Sequence, residues 1–180
     1  EQLALVTALG RLGSAAALST LTGALAADRS PDLREAAAIA LGVFGRRKLP
    51  LDAPARAALL DLADAPAPRL LHAAAYALAH EHGPADRVPV DLVLARLAYD
   101  PDPETRMVAV GGLARRKAPA LPIFTDALAD LDWRVQVAAV RGLAGDGSEA
   151  ALLALARWLA AALAAPDLAE STGAIHPVLE

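Results

Sequence analysis

The chain has 180 residues, 56% of them hydrophobic but only 3% aromatic, with no cysteine and a net charge of −4 from 17 basic and 21 acidic residues. The lack of cysteine excludes disulfides, thiolate metal sites and cysteine nucleophiles, and it fits a reducing, cytoplasmic setting. The acidic balance offers no bulk attraction to nucleic acid or to an anionic membrane, and so few aromatics require a core built from many small Ala, Leu and Val contacts.

In chain order, the text around Leu9 recurs around Leu41, Leu78, Leu113 and Leu143, at intervals of 32, 37, 35 and 30 residues. Periods of this size signal helical solenoids. Glu1 enters in mid-unit, because Ala8-Leu9-Gly10-Arg11-Leu12-Gly13 already matches Ala40-Leu41-Gly42-Val43-Phe44-Gly45. The expectation is a fragment of a larger multidomain protein, cut on its N-terminal side. The uncharged run from Leu12 to Ala27 is broken by Gly, Ser and Thr. It is also shorter than the roughly 20 apolar residues of a spanning helix, so no membrane association is expected.

Each unit is predicted to be a helical hairpin. The first helices are the apolar stretches near Ala15–Ala26, Ala55–Ala63, Val90–Ala98, Ile123–Ala129 and Ala150–Ala164. The second helices open alike: Ser30-Pro31, Ala67-Pro68 and Asp102-Pro103 place proline at the first helical position, where its missing N–H costs nothing. Asp132-Trp133 keeps the cap and replaces the proline. Asp28, Asp64, Asp100 and Asp130 mark the turns between the two helices, with Asp64 one residue out of register and its turn therefore irregular. Linkers at Lys48–Pro54, Gly83–Pro89 and Lys117–Pro122 stop one hairpin and aim the next. Residues 1–165 form the array, and residues 166–180, which carry no repeat, read as a tail or partial cap.

Relative to each helix leucine, position −4 holds Leu5, Ala37, Ala74, Ala109 and Ala139, and position −1 holds Ala8, Ala40, Ala77, Gly112 and Gly142. A glycine inside a helix costs about 1 kcal/mol against alanine. Its use at matched positions predicts a backbone pressed against a neighbouring helix.

The pattern Asp-x-x-x-x-Leu-Arg-x-x-Ala-x-x-Ala-Leu-Gly at Asp28–Gly42 resembles a HEAT repeat of the short, phycobilisome-lyase-like type. Asp100–Ala114 follows it with Thr105-Arg106 in place of Leu-Arg, whereas Asp130–Ala144 has Val135-Gln136 there, and the third unit has Leu70-Leu71. The resemblance covers roughly residues 1–160. It implies an all-α fold, a right-handed α-α superhelix of about five antiparallel helix pairs, and no particular activity. It also implies that Arg34 and Arg106 brace neighbouring turns through the ladder of aspartates.

A binding surface on such an array is expected along the second helices, at positions −9, −6, −2 and +2, away from the packed positions −4, −1 and 0. This lane reads Leu3, Thr7 and Arg11 in the first unit, then Asp32, Glu35, Ile39, Val43, then Arg69, His72, Tyr76, His80. It continues as Glu104, Met107, Gly111, Arg115 and ends as Arg134, Val137, Arg141, Gly145. The packed positions repeat small residues, while the lane changes from unit to unit. Glu35, Ile39, Arg69, His72, Tyr76, Met107, Arg115 and Arg141 are the candidate partner-binding residues, since arginine and tyrosine are favoured at interface hot spots.

Other motifs have plainer explanations. His80 and His82 stand two apart, about 200° around a helix, so they do not ligate one metal together. His-Glu-His at 80–82 is also not the His-Glu-x-x-His zinc pattern. Arg46-Arg47-Lys48 and Arg115-Arg116-Lys117 sit at helix C-termini, where they complement the macrodipole. Trp133 is expected to cover an inter-repeat seam and Trp158 to pack the last hairpin. No Ser-His-Asp order, phosphate-cradling glycine loop or dinucleotide fingerprint occurs.

The resulting expectation is a non-catalytic protein–protein interaction scaffold that binds a protein or peptide along its concave ridge, with no cofactor, metal or nucleic acid. The alternative is an enzyme or enzyme auxiliary: the lyase-like relatives attach bilins, and HEAT-like DNA glycosylases act on alkylated bases. The lane's five arginines against three carboxylates make a mildly basic strip, not a duplex-binding track.

Overall fold

The computed structural model describes residues 2–82 and 88–164, and the expected tail at 166–180 and most of the linker Gly83–Pro89 lie outside the described residues. The described chain is all helical, in the order α1 (Gln2–Leu12), α2 (Ala15–Ala24), α3 (Pro31–Arg46), α4 (Ala53–Leu62), α5 (Pro68–Ala79), α6 (Val88–Leu97), α7 (Pro103–Arg116), α8 (Leu121–Ala127), α9 (Trp133–Asp146) and α10 (Glu149–Ala164). The odd-numbered helices stack on one another as an inner layer: α1 against α3, α3 against α5, α5 against α7 and α7 against α9. The even-numbered helices form an outer layer, each packed on an inner one, and touch each other far less. Close inner packing with a splayed outer layer curves the stack and leaves the inner helices on its concave side.

The starts of the inner helices follow the expected chemistry. Ser30 accepts from the Leu33 N–H at 3.3 Å, Asp102 from the Thr105 N–H at 2.9 Å and Asp132 from the Arg134 N–H at 2.9 Å. Pro31, Pro68 and Pro103 open α3, α5 and α7. The Ala67 methyl cannot cap α5, and the Leu70 N–H turns instead to the Ala67 carbonyl at 3.0 Å.

Leu41, Leu78, Leu113 and Leu143 are fully or almost fully buried and run through the whole stack. Ala37, Ala74, Ala109 and Ala139 are buried beside them, as are Ala40, Ala77, Gly112 and Gly142. The first unit departs. Leu5 is 58% exposed and Ala8 is exposed, while Val6 and Gly10 are the buried residues of α1. Because α1 has an inner neighbour on one side only, just the face toward α3 is covered.

The glycines confirm close approach by two routes. A Cβ on Gly112 would meet the Ala79 Cβ of α5 at 2.7 Å, so inner backbones touch. At Gly142 the occupied space belongs to the Phe124 ring of α8, 2.5 Å from a built Cβ, which is the outer helix of its own hairpin.

The turns carry the clasp implied by the HEAT resemblance. Arg106 makes a two-pronged pair with Asp130 in the next turn, both contacts 2.8 Å, and also donates to the Asp100 and Pro101 carbonyls of its own turn. In α9, Gln136 keeps only the second half of this device, donating to the Asp130 carbonyl at 2.6 Å. Arg34 donates to the Leu25 carbonyl of its own turn at 3.0 Å and pairs with no aspartate among the described residues. The out-of-register Asp64 is engaged instead by Arg96 at 2.7 Å.

Candidate functional site: the concave ridge

All sixteen lane positions of α3, α5, α7 and α9 are exposed or half-buried, and none belongs to the core. The lane is therefore a strip that stays at least partly open to solvent, although Tyr76 and Met107 also lean on the core. Its chemistry divides along the helix axes.

Toward the helix N-termini the charges neutralise one another across the seams. Arg69 lies 2.6 Å from Asp32 and 3.6 Å from Glu35, joining α5 to α3. Arg134 lies 3.4 Å from Glu104 of α7 and 2.8 Å from its own cap Asp132. That hydrogen-bonded arginine holds the Asp132 carboxyl down at about 2. His72 Nδ1 is 3.2 Å from the Thr105 hydroxyl, which donates to Asp102 at 2.7 Å. Glu35, Arg69 and His72 are thus tied into inter-repeat bridges.

Toward the C-termini the balance is different. The lane's three carboxylates, Asp32, Glu35 and Glu104, are all engaged by Arg69 and Arg134. Arg11, Arg115 and Arg141 have no ion pair with any carboxylate among the described residues. Arg115 donates only to the Ala79 carbonyl, at 3.4 Å. Desolvation lowers its pKa, and the neighbouring charge of Arg141 pushes the same way. Arg46, one turn beyond the lane on α3, also has no carboxylate partner and donates to the Tyr76 hydroxyl at 3.4 Å.

Tyr76 sits between these cations. Its ring lies over Gly42 of α3, and it tilts against the His80 ring with centroids 4.7 Å apart. His80 Nδ1 faces the Tyr76 carbonyl at 2.9 Å. Burial lowers the pKa of His80, with Arg115, Arg46 and His82 adding to the shift, and the neutral imidazole is favoured.

Between α7 and α9 the ridge opens into a recess of about 530 Å³. Met107, Val137 and Ala138 form its apolar floor, with Arg115, Arg141 and Trp133 at the rim. Three of the expected binding residues, Met107, Arg115 and Arg141, come together here. Ile39, 42% exposed on α3, is not part of this recess.

Trp133 was expected to cover a seam. It does lie at the α7–α9 seam, but 53% exposed at the recess rim. Trp158 is half-buried against the core as expected. Arg46 and Trp133 were not marked as site residues because each falls just past the ends of the four-position lane. Stepping the lane by one further turn, +2 to +5, reaches Arg46.

The basic triplet at 115–117 has no single role. Arg115 faces the ridge, and Lys117 caps the helix in a left-handed conformation. Arg116 turns inward, correcting its assignment to the helix dipole. It is buried with its guanidinium 3.0 Å from Glu81 and 2.5 Å from Asp91. Among the described residues no group of three His, Cys, Asp or Glu is placed to hold a metal ion, and no helix is long and apolar enough to cross a membrane.

The model of the family described as HEAT repeats matches residues 1–80 and 90–171. A crystal structure of an engineered protein aligns with a TM-score of 0.67 at 19% identity, covering 98% of this chain and 86% of that one, a likeness that bears on the fold alone. No match was found among curated proteins. Matched by the family model over most of its length, built from stacked hairpins and clasped from turn to turn by Arg106 and Asp130, the chain belongs to the HEAT repeat family.

Proposed function

We propose that this array, residues 1–165, is a non-catalytic scaffold that holds a protein or peptide segment along its concave ridge. One observation carries the reading: on four successive inner helices the same lane stays exposed or half-buried while its residues vary. The lane pairs its charges at its N-terminal half and leaves arginines beside a tyrosine and an apolar recess at the other, an arrangement that offers a partner both charge and apolar contact. Extended concave surfaces of this kind are the usual contribution of helical arrays.

The test is a selection of peptides displayed at random on immobilised chain, repeated with Tyr76, Met107 and Arg115 all replaced by alanine. Loss of capture with unchanged far-ultraviolet circular dichroism supports the ridge. Peptides that bind both proteins equally well would show that the partner docks elsewhere.

A further inference from the structure

The ridge's charge pattern also specifies a partner. We infer that the segment it takes is acidic, with an apolar side chain seated in the recess between α7 and α9 and flanking carboxylates on Arg115 and Arg141. This inference rests on the scaffold reading above and narrows it.

Three observations lead to it. First, the recess between α7 and α9 is lined by Met107, Val137 and Ala138, apolar surface that suits an apolar group. Second, of the three arginines lining the recess only Arg134 is compensated, by Glu104 and Asp132. Arg115 and Arg141 have no carboxylate partner among the described residues, and every carboxylate of the lane is already engaged by Arg69 or Arg134. The two arginines line one recess, and an incoming carboxylate can pair with either guanidinium as a forked, charge-assisted contact. Third, the excess continues across the array. Arg46 and Arg11 extend it over α3 and α1, on the same C-terminal side of the stack. An extended chain crossing the inner helices would meet a cation at each of these helices and Tyr76 between them.

A nucleic acid is the poorer fit. The arginines of the N-terminal half are already engaged by Asp32, Glu35 and Glu104, so the unpaired cations form only a short strip, too few to hold a long run of phosphates.

The test uses fluorescein-labelled short peptides in which leucine and phenylalanine are flanked by aspartate and glutamate. Controls carry lysine in place of the acids, or alanine in place of the apolar pair, and one further probe is a single-stranded oligonucleotide. Anisotropy with the whole chain should show binding of the acidic apolar peptide alone, weakening with added salt. Arg115→Glu and Arg141→Glu should each reduce its affinity about tenfold or more. Arg141 is exposed, so its variant is expected to keep the fold, and because Arg115 also donates to the Ala79 carbonyl, Arg115→Gln provides a milder version of the same test.

Equal binding of the lysine-flanked peptide, no binding of the acidic one, or preferential binding of the oligonucleotide would each overturn the inference. The failures are separable. Non-acidic peptides that emerge from the display selection and lose binding in the Tyr76, Met107, Arg115 triple variant would leave the scaffold reading standing and remove this one.

Discussion

Gly112 of α7 and Ala79 of α5 meet so closely that a Cβ on the glycine would fall 2.7 Å from the alanine Cβ and 3.0 Å from its Cα. The same contact joins Gly10 to Ala40, at 2.9 Å, and brings Gly42 within 3.3 Å of the Ala77 Cα. In each case the residue just after one helix leucine meets the residue just before the next. These pairs set how near the inner backbones come, and hence how tightly the concave side is drawn in. In an exposed helix, Gly→Ala gains about 1 kcal/mol. At Gly112 the sign should reverse, because the added methyl meets backbone that moves only by shifting a helix. Gly112→Ala is expected to lower stability by about 1–3 kcal/mol. Ala79→Gly in the same chain should return part of the loss, and a double-mutant cycle in urea should show the two sites coupled. Additive effects would mean that the helices separate freely.

The Arg106–Asp130 pair bridges two turns with both side chains largely buried. Removing the charge with Asp130→Asn leaves the guanidinium with only carbonyl partners, at an expected cost of about 1–3 kcal/mol. The hydrogen-bonded guanidinium holds the Asp130 carboxyl below the usual carboxylate range. A depressed folded pKa stabilises the native state in full above the unfolded carboxyl's ordinary value of about 4. That contribution fades as the pH falls from there through the lower folded value. Denaturation midpoints of the native chain and Asp130→Asn should therefore differ most at neutral pH and converge in acid. A gap that stayed constant down to acid pH would deny the pair its electrostatic character.

The capped proline starts, the recurring leucines and the small residues at −4 and −1 gave away the fold, because each is a local requirement repeated at a fixed spacing. Lane membership was legible for the same reason, since a helical face is fixed by register once the packed face is known. The recess was not, as it forms from two helices about 30 residues apart, and the shape between them depends on how α9 lies against α7. Nor was the burial of Glu81 and Arg116. Glu81 lies in a His-Glu-His segment that resembles a solvated helix end, and its partners come from other hairpins. Leu5 was read as packed by analogy with Ala37, but packing needs a neighbour that α1 has on one side only.

Lys117 adopts φ +52° at the end of α7, four residues after Leu113. The matching residues after Leu9 and Leu143 are Gly13 and Gly147, at φ +71° and +68°. Three repeats thus use a left-handed stop at this position, two of them with glycine, and α3 is followed by a second left-handed lysine, Lys48 at φ +60°, further along. A side chain in that conformation costs roughly 1–2 kcal/mol, partly offset because glycine has more freedom to lose on folding. Lys117→Gly should stabilise the chain by about 0.5–1 kcal/mol, read as a raised urea midpoint with unchanged slope. A lower midpoint would show that the lysine side chain contributes more than its backbone costs.

Glu81 joins neighbouring hairpins through its two carboxylate oxygens. One carboxylate oxygen accepts from Arg56 of α4 at 2.8 Å, and the other accepts from Arg116 of α7 at 3.0 Å. Arg116 is further held by Asp91 of α6 at 2.5 Å and by the Glu81 carbonyl at 3.0 Å. Glu81 and Arg116 are both nearly inaccessible to solvent. Charges withdrawn from water are tolerated only while each has its counterpart, so removing one member costs far more than the net worth of the pair. Glu81→Ala is expected to destabilise by about 3–5 kcal/mol, since Arg116 would stay buried with less compensation. The Arg96–Asp64 bridge is a control of equal formal charge and better length, 2.7 Å, but with side chains 50% and 76% exposed. Solvent screens that pair, and Asp64→Ala should cost less than about 1 kcal/mol. Urea denaturation of the two variants side by side measures burial against geometry. Equal losses would mean that solvent reaches Glu81 in the folded chain.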